Sequence, residues 1–134
     1  MSMTDRQRLG RLGEDAVTLR YAHAGYTLVG RNVRQFPNEI DLVMQNETHL
    51  VFIEVKTRHA VPGVRSKYGR PADAVNQTKK AHVVEAAKAY LREHPTKLQP
   101  RIDIAEVYLK KCADGTEEVE QILRFPGAIH GNGR

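Results

Sequence analysis

The chain has a single cysteine, Cys112, and no tryptophan in 134 residues. A lone thiol excludes an internal disulfide, and no Cys/His pair has zinc-site spacing, so neither device staples this fold. Long apolar runs are missing too. The longest, Leu50–Ile53, gives way to Glu54 and Lys56, far short of the about 20 residues needed to cross a bilayer. Residues 1–11 carry three arginines with no apolar segment behind them, unlike a secretory leader, which makes the cytoplasm the expected compartment and a membrane partner unexpected. Eight aromatics are few for a surface that grips single strands by stacking. The six histidines show no metal spacing and no paired nucleophile, so they read as core-edge or surface residues.

What is present is the composition of one folded domain over 1–134: 15.1 kDa, 40% apolar, 28% charged. The formal charge is +5, but it is not evenly spread. Between Lys56 and Lys80 stand seven basic residues (Lys56, Arg58, Arg65, Lys67, Arg70, Lys79, Lys80) and one acid, Asp73, a net +6 that leaves −1 for the remainder. Such a window suits a phosphate backbone, and equally a solvated loop that keeps the protein soluble.

Patterning supplies the elements. Leu9, Leu12, Ala16, Leu19 and His23 recur at helical spacing between a Thr4 cap and Gly25, with Gly10 and Gly13 suggesting close backbone packing. Tyr26–Arg34, Glu39–Met44 and Leu50–Arg58 read as three strands, the last two joined by a turn at Asn46–His49. His59–Arg70 reads as a surface loop. Asn76 or Asp73 caps a helix to about His94, with Ala81, Val84, Ala87, Lys88 and Leu91 on one side. Ile102–Leu109 and Val119–Phe125 are β-like around Asp114-Gly115, and the tail 126–134 is expected to fray. The order αβββαββ makes an α/β domain with a mixed central sheet of about five strands flanked by helices.

The third strand carries the anomaly. Its core-like run Leu50–Ile53 leads straight into Glu54-Val55-Lys56, and alternation puts Glu54 and Lys56 on one face, about 6.6 Å apart along the strand. On the second strand, Glu39 and Asp41 share a face. A turn centred between Glu47 and Thr48 pairs residues whose numbers sum to 95, which sets Asp41 opposite Glu54 and Glu39 opposite Lys56. Like charges so placed destabilise unless offset, and a divalent cation would offset them. Two carboxylates with a main-chain carbonyl and water form the hard oxygen environment that Mg²⁺ or Mn²⁺ prefers. A structural charge cluster, with Lys56 bridging Glu39 and Glu54, is the alternative on spacing alone. Glu14, taken by itself, reads as a surface acid pairing with Arg11, and Asp103 as the structural partner of Arg101.

Together, Gly13-Glu14, Gly25-Tyr26, Arg31-Asn32, Glu39-Ile40-Asp41-Leu42 and Val51-Phe52-Ile53-Glu54-Val55-Lys56-Thr57-Arg58 resemble the YraN-like family of small bacterial predicted nucleases. Ala74-Val75, Lys79, Ala87, Tyr90-Leu91 and Arg101-Ile102-Asp103 continue the likeness in order. The resemblance implies a restriction-endonuclease-like domain of the PD-(D/E)XK superfamily, similar to archaeal Holliday-junction resolvases. It implies Asp41, Glu54 and the Val55 main-chain carbonyl as metal ligands, with Glu14 completing the site and Lys56 serving the attacking water. Thr57, Arg58, Arg65, Lys67, Arg70, Lys79 and Lys80 are the candidate nucleic-acid contacts, Lys79 by family position. Where the family has Gly before Glu-Ile-Asp, this chain has Pro37-Asn38, and Asn tolerates the positive φ such a turn demands.

The expected activity is Mg²⁺- or Mn²⁺-dependent hydrolysis of phosphodiester bonds, in DNA rather than RNA and with branched or structured DNA foremost. A homodimer would suit two strands. The alternatives are a catalytically inactive nucleic-acid-binding module of the same fold, and an interaction protein whose basic loop meets an acidic partner.

Overall fold

The computed structural model describes residues 3–60 and 77–130. The elements are α1 (Asp5–His23), β1 (Thr27–Gln35), β2 (Asn38–Gln45), β3 (His49–His59), α2 (Gln77–Glu93), β4 (Gln99–Lys111) and β5 (Glu117–Ile129). The order αβββαββ and the five-stranded sheet match the sequence reading. The sheet runs β1-β2-β3-β4-β5, with β3 and β4 parallel and every other pair antiparallel. A parallel pair needs a crossover, and α2 lies within that connection. No helix of the described residues is long and apolar enough to cross a membrane.

The two helices cover opposite faces. Leu50, Phe52, Ile102 and Ile104 pack with Val83, Ala86, Ala87 and Tyr90 of α2. Val51, Ile53, Ala105, Val107 and Leu109 pack with Val17 and Tyr21 of α1. Buried on both sides, β3 can be apolar without alternation, which explains the uninterrupted Leu50–Ile53 run.

Thr4 caps α1 as expected: its Oγ1 accepts from Gln7 N–H at 3.1 Å while Gln7 Oε1 accepts from Thr4 N–H at 3.0 Å. The buried face, however, is Gly13, Val17 and Tyr21, flanked by Leu9 and Leu12, and Leu19 is 59% exposed. The close packing expected at Gly13 is present, as are Leu9 and Leu12, whereas the reading by apolar spacing took Ala16 and Leu19 in place of Val17 and Tyr21. A Cβ at Gly13 would collide with Thr57 Oγ1, so the helix backbone itself lies against β3. Gly10, by contrast, has open space around it. Tyr21 is buried because its hydroxyl finds Asp103 Oδ2 at 2.6 Å. On α2 the stripe likewise shifts, to Val83, Ala86, Ala87 and Tyr90, leaving Ala81 and Lys88 exposed.

The last strand departs most from expectation. Residues 126–129 do not fray: β5 continues to Ile129, which pairs with Ile102 and is buried. The fully buried Asp103 holds this end, accepting from Gly127 N–H at 2.8 Å and from Arg101 Nε at 2.8 Å. Asp103 is thus the structural partner of Arg101. The proposed caps of α2, Asp73 and Asn76, lie outside the described residues.

The α1–β3 contact generates a stability prediction. Gly13→Ala should lower unfolding free energy by about 1–3 kcal/mol through overpacking. Adding Thr57→Ala should recover much of that loss in urea unfolding, because it removes the oxygen in the way.

Candidate active site

The β2–β3 register is the one read from the turn. Gln45↔Leu50, Met44↔Val51, Val43↔Phe52 and Leu42↔Ile53 are paired, all summing to 95. The ladder then stops. At the next position Asp41 Oδ2 accepts a hydrogen bond from Val55 N–H at 2.8 Å. A side chain thus replaces a main-chain acceptor, and β2 leaves β3 at that point. In a strand the N–H and C=O of one residue point the same way, so the Val55 carbonyl also faces this opening.

On the other side of Asp41 the facing strand holds a left-handed residue. Asn32 stands between the pairs Arg31↔Leu42 and Val33↔Ile40, opposite Asp41, at φ +47°. Asn is among the few residues that adopt this left-handed conformation at low cost. The tolerance ascribed to Asn38 therefore applies at Asn32: Asn38 pairs directly with Gln35, so Phe36-Pro37 alone make the turn.

Glu54 is 4% exposed and shares its face with Leu50 and Phe52, toward α2. Lys79, from the first turn of α2, brings its Nζ to 3.4 Å from Glu54 Oε2. Burial pushes the Glu54 carboxyl up to about 7, helped by the neighbouring charge of Asp41 and opposed by Lys79 and Lys56. Burial likewise pushes Asp41 up to about 6; the Val55 hydrogen bond and Lys79 oppose this, while Glu14 and Glu39 add to it. These influences place Asp41, Glu54, Glu14, Lys56 and Lys79 in one electrostatic neighbourhood.

Glu14 reaches it from α1, the opposite layer. Its carboxylate pairs with Arg31 Nη2 at 3.4 Å and accepts from Asn32 Nδ2 at 3.3 Å, so its partner is Arg31 and not Arg11. Arg31 also binds Asp15 at 2.7 Å. Glu39 is not opposite Lys56, because the ladder ended at Leu42; it lies across from Arg34 of β1 and is exposed.

Lys56 and Arg58 follow Glu54 on the α2 side, both half-buried. Thr57, a candidate nucleic-acid contact, alternates to the other face, half-buried, with its side chain against Gly13. Lys80 lines a groove between α2 and the end of β5 with Gln77, Val84, Glu85 and Ala128, a lining that does not include Asp41 or Glu54. Arg65, Lys67 and Arg70 lie outside the described residues.

Three residues near the site escaped the sequence reading as working parts: Arg31, Asn32 and Glu106. Glu106 is fully buried beside Lys56 in the β3–β4 register and accepts from the Tyr108 hydroxyl at 2.9 Å. Its signal was available, since an acid inside the apolar run Ile102–Leu109 is the same anomaly that singled out Glu54.

Among the described residues no group of three or more His, Cys, Asp or Glu side chains forms a metal cluster. The oxygens that could hold a divalent ion are those of Asp41 and Glu54 with the Val55 carbonyl, a hard donor set of the kind Mg²⁺ accepts when water fills the remaining positions. The ammonium of Lys79 beside Glu54 marks the same place as one where positive charge is favoured.

The pair dictates a pH dependence. Carboxyls raised from ordinary values of 3.8 and 4.5 to about 6 and about 7 bind more protons folded than unfolded. Metal-free stability should therefore fall as pH rises from about 4 to about 7. Glu54→Gln should flatten that slope and raise the melting temperature at pH 8, as read by thermal scans in chelator.

Comparison with known proteins places the chain among relatives. The pattern of "Uncharacterised protein family UPF0102" matches residues 13–107. A UPF0102 protein of Syntrophotalea carbinolica is 34% identical over 129 residues, covering 96% of each chain. One of Clavibacter michiganensis is 37% identical over 118 residues, 87% of this chain and 96% of the relative. One of Desulforapulum autotrophicum is 38% identical over 104 residues, 77% of this chain and 82% of the relative. Among solved structures, that of Pyrococcus furiosus SfsA in complex with Ca²⁺ aligns with a TM-score of 0.47 at 14% identity, over 84% of this chain and 63% of that one. With a family match across most of its length and relatives of this similarity, the chain belongs to the UPF0102 family.

Proposed function

We propose that the protein is a metal-dependent nuclease of restriction-endonuclease-like type, hydrolysing phosphodiester bonds of DNA, with branched or structured DNA as the substrate class. The observation that carries this reading is the adjacency of Asp41 and Glu54 where β2 and β3 part, Glu54 buried and Asp41 half-buried, both held above the usual carboxylate range. Buried like charges are costly, and a site that keeps them has a use for a cation.

In this reading Asp41, Glu54 and the Val55 carbonyl hold Mg²⁺ or Mn²⁺, and Glu14 acts from the edge through water. When bound, the ion supplies Lewis-acid polarisation of the phosphate. The Val55 N–H fixes the Asp41 carboxylate, leaving its other oxygen for the ion. Lys56 orients the attacking water, and Lys79 neutralises charge that builds on the phosphoryl oxygens. Arg58, Lys80 and the basic residues Arg65, Lys67 and Arg70 supply backbone attraction. A homodimer would present two such sites to two strands.

A second reading is a nucleic-acid-binding module without chemistry. It draws on Lys79 pairing with Glu54 and on Arg31 holding Glu14, contacts that satisfy the acids without an ion.

Alanine at Asp41, Glu54 or Lys56 should each reduce Mg²⁺-dependent cleavage by about 100-fold or more. DNA affinity should be largely retained. Calorimetry should show Mg²⁺ or Mn²⁺ uptake lost in the Asp41 and Glu54 variants and kept in Lys56→Ala. Wild-type protein that takes up no metal even with DNA present would decide for the module.

A further inference from the structure

One aromatic ring stands apart. Among the described residues Tyr21, Phe52, Tyr90 and Tyr108 are buried and Tyr26 and Phe125 half-buried, whereas Phe36 is 86% exposed. Isolated exposed apolar residues are ordinary, but this one occupies a particular mount. Phe36 and Pro37 form a two-residue turn closed by the Gln35↔Asn38 pair at the tip of the β1–β2 hairpin.

The mount is braced. Arg34↔Glu39 and Val33↔Ile40 continue the pairing, and Val33 and Ile40 pack into the core beneath α2. The buried Gln35 donates to Glu93 Oε1 at 3.2 Å, tying the tip to the end of α2. The ring is therefore held in water by an ordered arm. That arm begins at Asp41, where β2 leaves β3.

Charge does not account for the tip, because the exposed Arg34 is matched by Glu39 across the strand pair. What it offers a partner is an aromatic face. Three strand steps separate Asn38 from Asp41, about 10 Å at 3.3 Å per residue, and the turn adds about one residue's length to place Phe36 about 13 Å away. Nucleotides along one strand rise about 3.4 Å each, so this reach spans about four of them.

We infer that Phe36 is a wedge that stacks into an opened base step about four nucleotides from the bond held at Asp41 and Glu54. This deepens the nuclease reading and rests on it for the position of that bond. Inserting a ring into continuous duplex requires unstacking, which a fork, mismatch or nick has already supplied. The wedge thus selects DNA that is locally open.

The test uses full-length protein in chelator with fluorescent forked and continuous duplexes, and with 2-aminopurine at the branch. Wild type should bind the fork about tenfold more tightly than the continuous duplex, the equivalent of 1.4 kcal/mol and within what one base–aromatic stack provides. It should also change the 2-aminopurine emission. Phe36→Ala should lose both effects and Phe36→Trp should keep them, each with an unaltered melting temperature because the ring is exposed. With Mg²⁺ restored, cuts should fall about four nucleotides from the branch. An alanine variant that keeps the fork preference and the emission change overturns the wedge, as does wild type that does not distinguish the two duplexes. Lys56→Ala separates the two ideas: the wedge signals should persist in it, so loss of cleavage alone speaks to the site and loss of the signals in Phe36→Ala alone speaks to the wedge.

Discussion

The hydrogen bond from Val55 N–H to the Asp41 carboxylate governs the architecture around the site. It ends the β2–β3 ladder with a side chain where a carbonyl would otherwise stand. A main-chain partner would have zipped the strands further and closed the opening. The carboxylate keeps Val55 N–H satisfied while the strands separate, so the gap carries no orphaned donor there. From this one substitution follow the exposure of the Val55 carbonyl to the opening, the placement of Glu54 beside Asp41, and the independent hairpin arm beyond.

Electrostatics distinguishes this opening from an ordinary sheet end. Two layers contribute: α1 sends Glu14 through Arg31 and Asn32, and α2 sends Lys79 to Glu54. The acids are nonetheless under-compensated, since burial and the repulsion of neighbouring carboxylates outweigh the nearby ammonium groups in both carboxyls. Asp103 shows the balanced case. The fully buried Asp103 accepts from Tyr21, Arg101 and Gly127, a set that leaves it structural.

Local signals carried much of the reading. The Asn46–His49 turn set the β2–β3 register because a short connection leaves little freedom in pairing, and Asn46 Oδ1 indeed accepts from both Thr48 and His49 N–H. The helix faces were less legible. Gly13 and Tyr21 are poor apolar markers, yet the first packs through backbone and the second through a satisfied hydroxyl. Glu39 was misplaced because its register was extrapolated past the end of a ladder.

By itself the sequence determined the order of elements, the mixed sheet, the pairing that brings Asp41 to Glu54, and the acid intruding on a core strand, because each depends on periodicity or on residues close along the chain. The tertiary structure alone decided that Asp41 ends the ladder, that Asn32 takes a left-handed turn beside it, that Lys79 rather than Lys56 lies within 4 Å of Glu54, and that Glu106 stands beside Lys56. Those relations join strands and helices distant in sequence, and where such elements meet is settled by packing on both faces of the sheet at once.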